Sequence, residues 1–227
     1  MRAMFDRIAG VYDRMNGVMT AGLDRHWRRR AADLANVGPG AHVLDVATGT
    51  GNLALELAGR VAPGGRVVGS DFSEAMLSRA RDKAAEVAPA GVVVEFEWGN
   101  ALSLPYGPAT FDAATVGFGA RNFADLGRGV AEMARVVRPG GRVVILEITA
   151  PHKPPLSWFY SVWFDRVVPM LGRAAGDASA YSYLPSSVKR FPDPRELAAT
   201  MAGCGLGRVR WLRTAGGIIA IHVGEVR

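Results

Sequence analysis

The chain has 227 residues, 49% of them hydrophobic, with a formal net charge of +6 and one cysteine. Length and apolar content suit one well-cored α/β domain and argue against a second. The lone Cys204 excludes an intramolecular disulfide, and its Ala-Gly-Cys-Gly setting suits a buried, inert thiol.

The opening residues lack the apolar core of a secretory signal, and Phe5, Ile8 and Tyr12 recur at helical spacing. A second amphipathic helix is expected over 24–36, stopped by Gly38-Pro-Gly40. It carries the run Arg25-His-Trp-Arg28-Arg29-Arg30, which reads as a solvated helix face; a basic patch for nucleic acid or an anionic membrane is the alternative. A regular alternation follows: strand 42–47, helix 51–60, strand 66–70, a helix from Ser73, strand 92–98, strand 111–116, helix 125–137 and strand 143–148. Helical crossovers between apolar strands require a parallel sheet with helices on both faces. Pro151, Pro154 and Pro155 then break the pattern, and an aromatic amphipathic segment occupies 156–171. Asp165, Arg166 and Pro169 interrupt it, and it falls short of the ~20 residues a spanning helix needs. The expected protein is therefore soluble and cytoplasmic, at most peripheral to the inner face of a membrane. After a polar loop with Tyr181, Tyr183 and Pro185 comes a helix over 194–204, then two strands over 209–223 joined by a Gly216-Gly217 turn. A doubly wound, mostly parallel sheet ending in an antiparallel hairpin is the Rossmann-like architecture of class I methyltransferases.

The motif that carries the chemistry is His42-Val-Leu-Asp45-Val-Ala-Thr-Gly49-Thr50-Gly51-Asn-Leu. A short strand ends in a carboxylate, and a Gly-x-Gly turn then opens a helix, so that backbone can approach a ligand closely. Gly49 to Ala54 also satisfies the dinucleotide fingerprint G-x-G-x-x-A, so a dehydrogenase is the competing reading. Asp45 favours the other one. A carboxylate there repels a pyrophosphate but suits S-adenosylmethionine, which carries a sulfonium and an ammonium. Asp71 ends the second strand and can accept both hydroxyls of a ribose, with Phe72 beside it to cover the adenine. Asn100 and Ala101 follow the third strand, where an adenine edge is contacted. Asp45, Gly49, Gly51, Asp71 and Asn100 thus stand at successive strand ends on one rim of the sheet.

The segment Gly117-Phe-Gly-Ala-Arg121-Asn122 follows the fourth strand. The Asn/Asp-Pro-Pro-Tyr/Phe motif of base-methylating enzymes is absent from it, so nucleic acid is not the expected partner. Arg121 suits an oxyanion, or a surface pair with Asp125. His26, His42, His152 and His222 lack metal-ligand spacing, no metal is expected, and His222 reads by default as a satisfied structural histidine.

These motifs resemble the ubiquinone/menaquinone biosynthesis C-methyltransferases nearly end to end. The resemblance rests on Phe5-Asp-Arg-Ile-Ala with Tyr12-Asp13-x-Met15-Asn16, on Val43 to Gly51, and on Gly69-Ser-Asp-Phe-Ser-Glu-Ala-Met76. It continues in Gly117-Phe-Gly-x-Arg-Asn122, Tyr181-x-Tyr-Leu-Pro-x-Ser187 with Phe191-Pro, and Gly216-Gly-Ile-x-Ala-Ile-His222. It implies cofactor contacts at Thr50, Asp71, Asn100 and Ala101, and a further one, often a serine, at Gly117; Met76 joins the expected cofactor set. Asn52 stands where the family usually has Asp, keeping a helix-capping side chain. The implied reaction is methyl transfer from S-adenosylmethionine to a ring carbon of a prenylated naphthohydroquinone; a benzoquinol or a small phenolic or polyketide-like substrate is the alternative. Arg121 is the candidate for stabilising the phenolate and Asn122 for orientation, with Tyr12, Asp13 or His222 moving the proton. The resemblance also implies that 156–171 accepts the isoprenoid tail and touches the membrane; a helix that covers the sheet edge or forms a homodimer contact is the competing use. The chain divides on this reading into an N-terminal helical cap (1–37), a cofactor core (38–150), a substrate-side insertion (151–192) and a C-terminal helix and hairpin (193–227) within one domain.

Overall fold

A computed structural model describes residues 4, 6–7, 9–10, 12–150, 158 and 185–227. Phe5, Ile8, the aromatic segment apart from Trp158, and Tyr181 and Tyr183 lie outside the described residues. The strands are β1 (His42–Val46), β2 (Arg66–Asp71), β3 (Val93–Trp98), β4 (Phe111–Gly117), β5 (Val137–Ile148), β6 (Leu206–Thr214) and β7 (Ile219–Val226). They form one sheet in the order β3-β2-β1-β4-β5-β7-β6. β3, β2, β1, β4 and β5 pair in parallel, whereas β7 runs antiparallel to both β5 and β6. This is the class I architecture expected from the alternation.

The inner strands are apolar on both sides because both faces are covered, and successive residues point to opposite faces. Val43, Val67, Val144 and Leu146 join one core with α2 (Leu23–Ala35) and α3 (Asn52–Val61). Leu44, Val68, Ile145 and Val116 join the other, with α5 (Leu126–Val136) and α6 (Pro194–Gly203). The remaining helices are α1 (Tyr12–Met19) and α4 (Glu74–Val87). Helix starts are chemically marked. The Ser73 hydroxyl accepts the Met76 amide at the head of α4, Asp125 accepts the Arg128 amide at α5, and Asp193 with Glu196 forms a capping box at α6.

Boundaries differ from the sequence expectation at the start of β5 and at both ends of the hairpin, where β7 runs on to Val226. β5 begins at Val137 rather than 143, because Arg138-Pro-Gly-Gly141 stays in the strand across a register irregularity opposite Phe111 and Ala113. Gly141 is required there, since a Cβ would stand 2.4 Å from the Asp112 carbonyl. The hairpin is also longer at its start, because β6 begins at Leu206. Among the described residues no helix is long and apolar enough to cross a membrane.

One side chain ties the sheet to the turn after β1. The Phe96 ring fills space left by two glycines: a Cβ on Gly69 would stand 2.5 Å from it and one on Gly51 2.8 Å. Gly69→Ala should therefore lower stability by about 1–3 kcal/mol, as overpacking does, and Phe96→Leu in the same chain should restore part of the loss. Urea unfolding of the three variants checks this, and an unaltered midpoint for Gly69→Ala would rule it out.

Candidate active site

A cavity of about 320 Å³ opens at the carboxyl ends of β1, β2 and β4 and beside the residues following β3. It is the crevice where an open α/β sheet takes its ligand. Of the residues singled out from sequence, Asp45, Gly49, Thr50, Asp71, Phe72, Met76, Asn100, Ala101, Gly117, Tyr12 and Asn122 line it. Gly51, Asp13, Arg121 and His222 do not.

Asp45 is 1% exposed, and its two oxygens accept the hydroxyls of Thr48 and Thr115, each at 2.6 Å. Burial pushes its pKa up to about 6, against the pull of both hydrogen bonds and of the Arg28 charge. Asp71 is also buried, and one carboxylate oxygen accepts the Gly49 amide while the other accepts the Ser73 amide, both at 2.9 Å. Burial raises its pKa too, opposed by those backbone donors. Asp71 thus braces the glycine turn and the start of α4 while it faces the cavity. Gly49 and Gly51 hold positive φ angles of 57° and 79°, which favour glycine. Gly51 is nevertheless a packing residue at the head of α3 rather than part of the cavity wall.

The N-terminal helix is fastened to this turn through Asp13, on which Lys83, Thr50 and Asn52 converge. Lys83 on α4 donates to Asp13 at 2.6 Å, to the Asn52 side-chain oxygen at 2.7 Å and to the Thr50 carbonyl at 3.0 Å. Asp13 also accepts the Thr50 hydroxyl at 2.7 Å and the Asn52 amide at 2.8 Å. Burial alone would raise the Asp13 pKa, but Lys83, Thr50 and Asn52 together hold it below its ordinary value. Asp13 is therefore a clamp and a poor proton acceptor, which corrects the proton-moving role considered for it. Asn52 is likewise not a cap, since Gly51 occupies that position. Its amide presents N–H to Asp13 and C=O to Lys83, an arrangement a carboxylate cannot reproduce.

Arg121 is corrected as well. Its Nη1 donates to Glu147 at 2.7 Å and to the Phe118 carbonyl; the Glu147 side chain is buried, the Arg121 side chain is 9% exposed, and its buried Nε has no partner among the described residues. Asp125 is not its partner, because that carboxylate caps α5. With its charge matched and its position behind the cavity wall, Arg121 is not a free cation facing a phenolate. His222 lies between β5 and β6 on β7, with Nε2 donating to the Pro194 carbonyl at 2.8 Å and its ring stacked on Trp211. Burial pushes its pKa down, only partly opposed by that hydrogen bond. It is a structural histidine that does not reach the site, which removes the proton-moving role considered for it, and it is satisfied at Nε2 alone, because the buried Nδ1 has no partner among the described residues.

Sequence reasoning missed three charged residues here. Glu147 stands one residue before the end of β5, three positions beyond the residue in register with Asp45, and a carboxylate near a strand end was the available signal. Lys83 is one of only three lysines in an arginine-rich chain, which marks it faintly. Arg28 was read as part of a solvated run; instead it is 7% exposed and lines the cavity.

The match to known proteins follows this geometry. The model of the ubiE/COQ5 methyltransferase family covers residues 1–226. The demethylmenaquinone methyltransferase of Thermus thermophilus is 47% identical over 98% of this chain and 99% of its own length. That of Desulfitobacterium hafniense is 43% identical over 97% of this chain and 87% of its own. In three dimensions the chain resembles a SAM-dependent methyltransferase from Aquifex aeolicus, with a TM-score of 0.61 and 18% identity over 84% of this chain and 85% of that one, a likeness of fold. The chain belongs to the ubiE/COQ5 methyltransferase family, and its cofactor is S-adenosylmethionine.

Proposed function

We propose that this protein methylates a ring carbon of a prenylated naphthohydroquinone, converting demethylmenaquinol to menaquinol. The observation that carries the reading is near-full-length identity of 47% to a relative of that name, joined to a cavity bounded by Tyr12 and Asn122, both within motifs particular to the family. The residues present fit the donor. Two buried carboxylates, Asp45 and Asp71, face the cavity, and Gly49 and Gly117 leave backbone open to it. When bound, S-adenosylmethionine supplies a methyl group on a cationic sulfur, an electrophile that needs no further activation.

The chain's own work is alignment, exclusion of water and charge. In this proposal Asp71 receives the ribose hydroxyls, Phe72 and Met76 flank the base, and Asn100 and Ala101 meet the adenine edge. Asp45 answers the cationic end, Thr50 and the backbone of Gly117 complete the wall, and Tyr12 and Asn122 orient the quinol. The Arg121–Glu147 pair holds the 118–122 turn that presents Asn122. The segment 156–171, by its aromatic composition, takes the prenyl tail and gives the cytoplasmic protein its peripheral membrane contact; the cap 1–37, the core 38–150, the substrate-side insertion 151–192 and the C-terminal unit 193–227 make up a single domain.

Purified protein given S-adenosylmethionine and demethylmenaquinol should yield menaquinol, followed by mass analysis. Turnover of a demethylated benzoquinol in preference would move the assignment to the ubiquinone branch, and no turnover of either would remove it.

The Asp45 role has a pH signature. A carboxyl group with a pKa of about 6 in the free protein must be ionised to favour a cationic ligand, so S-adenosylmethionine affinity should weaken as pH falls below about 6. The limiting slope is about tenfold per pH unit, with proton release on binding. Calorimetry across pH in two buffers measures both, and Asp45→Asn should flatten the profile. A flat profile in the wild type would refute the role.

The Arg121–Glu147 pair has a stability signature. Glu147→Leu leaves a buried guanidinium unmatched and should destabilise by about 3–5 kcal/mol, whereas Arg121→Met with Glu147→Leu should recover most of the loss. Denaturant unfolding of the single and double variants decides, and equal losses in both would show that packing alone is at stake.

A further inference from the structure

Arg28 stands apart from the rest of its basic run. Arg25, Arg29 and Arg30 are exposed, while Arg28 is 7% exposed and is the one Lys or Arg among the described residues lining the cavity. A buried cation must be paired and held. Asp24, one helical turn earlier on α2, accepts from Nη1, and the Thr20 hydroxyl steadies Asp24 at 3.1 Å. The guanidinium carbon lies 5.5 Å from the centre of the Phe118 ring, so the plane is fixed by a cation–π contact as well. The same cavity wall carries Asp45, which is close enough to feel the Arg28 charge. A guanidinium and a carboxylate within electrostatic reach of each other, both facing one cavity, complement a zwitterion.

We propose that Arg28 receives the α-carboxylate of the cofactor's amino-acid moiety, opposite Asp45 at its cationic end. The assignment rests on the reading of this cavity as the cofactor site. Asp24 and Phe118 act as positioning residues: they aim the fork and leave its remaining edge for a second anion. A phenolate of the acceptor is the other anion chemistry brings to this enzyme. Proximity to Asp45 places Arg28 on the donor's side instead, because a carboxylate next to a developing phenolate would oppose it.

The test compares S-adenosylhomocysteine with 5′-methylthioadenosine, which keeps the nucleoside and the sulfur but lacks the amino-acid portion. Calorimetry is run on the wild type, Arg28→Met, Arg28→Lys, and Asp24→Asn with Arg28→Met, the last leaving no unpaired buried carboxylate. S-adenosylhomocysteine should bind Arg28→Met and the double variant about ten- to a hundredfold more weakly, the loss expected for hydrogen bonds to a charged group. 5′-Methylthioadenosine should bind all four proteins alike, and Arg28→Lys should recover part of the lost affinity. Equal weakening of both ligands would overturn the proposal in favour of cavity shape. Unchanged S-adenosylhomocysteine affinity with a reduced kcat would overturn it in favour of the acceptor's oxyanion. Failure of S-adenosylhomocysteine to bind the wild type would instead sink the cofactor-site reading beneath it.

Discussion

The chain winds outward from β1 through β2 to β3, then returns to the other side of β1 as β4. Helices connecting the two halves must leave the sheet in opposite directions, and a crevice opens above the carboxyl end of β1 because nothing crosses it. The location of every other feature follows from that reversal. Asp45 ends up at the bottom of the crevice and Asp71 one strand over, each at the point where backbone hydrogen bonding of its strand stops. The sheet also makes the carboxylates costly to bury, so each is satisfied locally: Asp45 by two threonine hydroxyls, Asp71 by two backbone amides. A site built this way is charged and rigid before a ligand arrives.

The crevice is closed on its N-terminal side by a single cation. Three acceptors converge on the Lys83 ammonium from α1, the glycine turn and α3. Such convergence suits a compact point charge with three donors and does not suit a planar fork, which gives a physical reason for lysine in a chain whose cations are otherwise nearly all arginine. The clamp sets the position of Tyr12, adjacent to Asp13 and on the cavity wall. Asn52 takes part by offering opposite ends of one amide to Asp13 and Lys83. With an aspartate at 52, Asp13 would lose a donor and face a like charge, so the departure from the family's usual residue is matched to this clamp.

What was legible in the sequence was whatever depends on local pattern. Short apolar runs bounded by turns gave the strands, Gly-x-Gly gave the turn, and carboxylates at strand ends gave Asp45 and Asp71. These work because a strand end in a parallel sheet has a defined place relative to the ligand crevice. The misread residues are those whose meaning depends on distant partners. Asp13 meets Lys83 across 70 residues and Arg121 meets Glu147 across 26. His222 meets Pro194 across 28. No local pattern predicts whether such a charge will be free to act or already matched. Arg28 was hidden differently: its neighbours at 25, 29 and 30 are solvated, and helix rotation alone turns position 28 inward with Trp27.

Fold likeness and activity rest on separate parts of the molecule. At 18% identity the Aquifex protein is alike in fold, and fold says little about what is methylated. Of the segments particular to the family, those at 12–13 and 117–122 lie at the rim. Positions 12–13 close the crevice from one side, 117–122 form its wall beyond β4, and the motif at 216–222 runs into β7 and ends on a histidine that anchors α6. Two of these touch the cavity directly, while the third acts at a distance by fixing the helix beside β6. A methyl donor that arrives already activated needs little acid–base help from the protein. The paired charges at Asp13 and Arg121 accord with a site that positions its reactants more than it titrates.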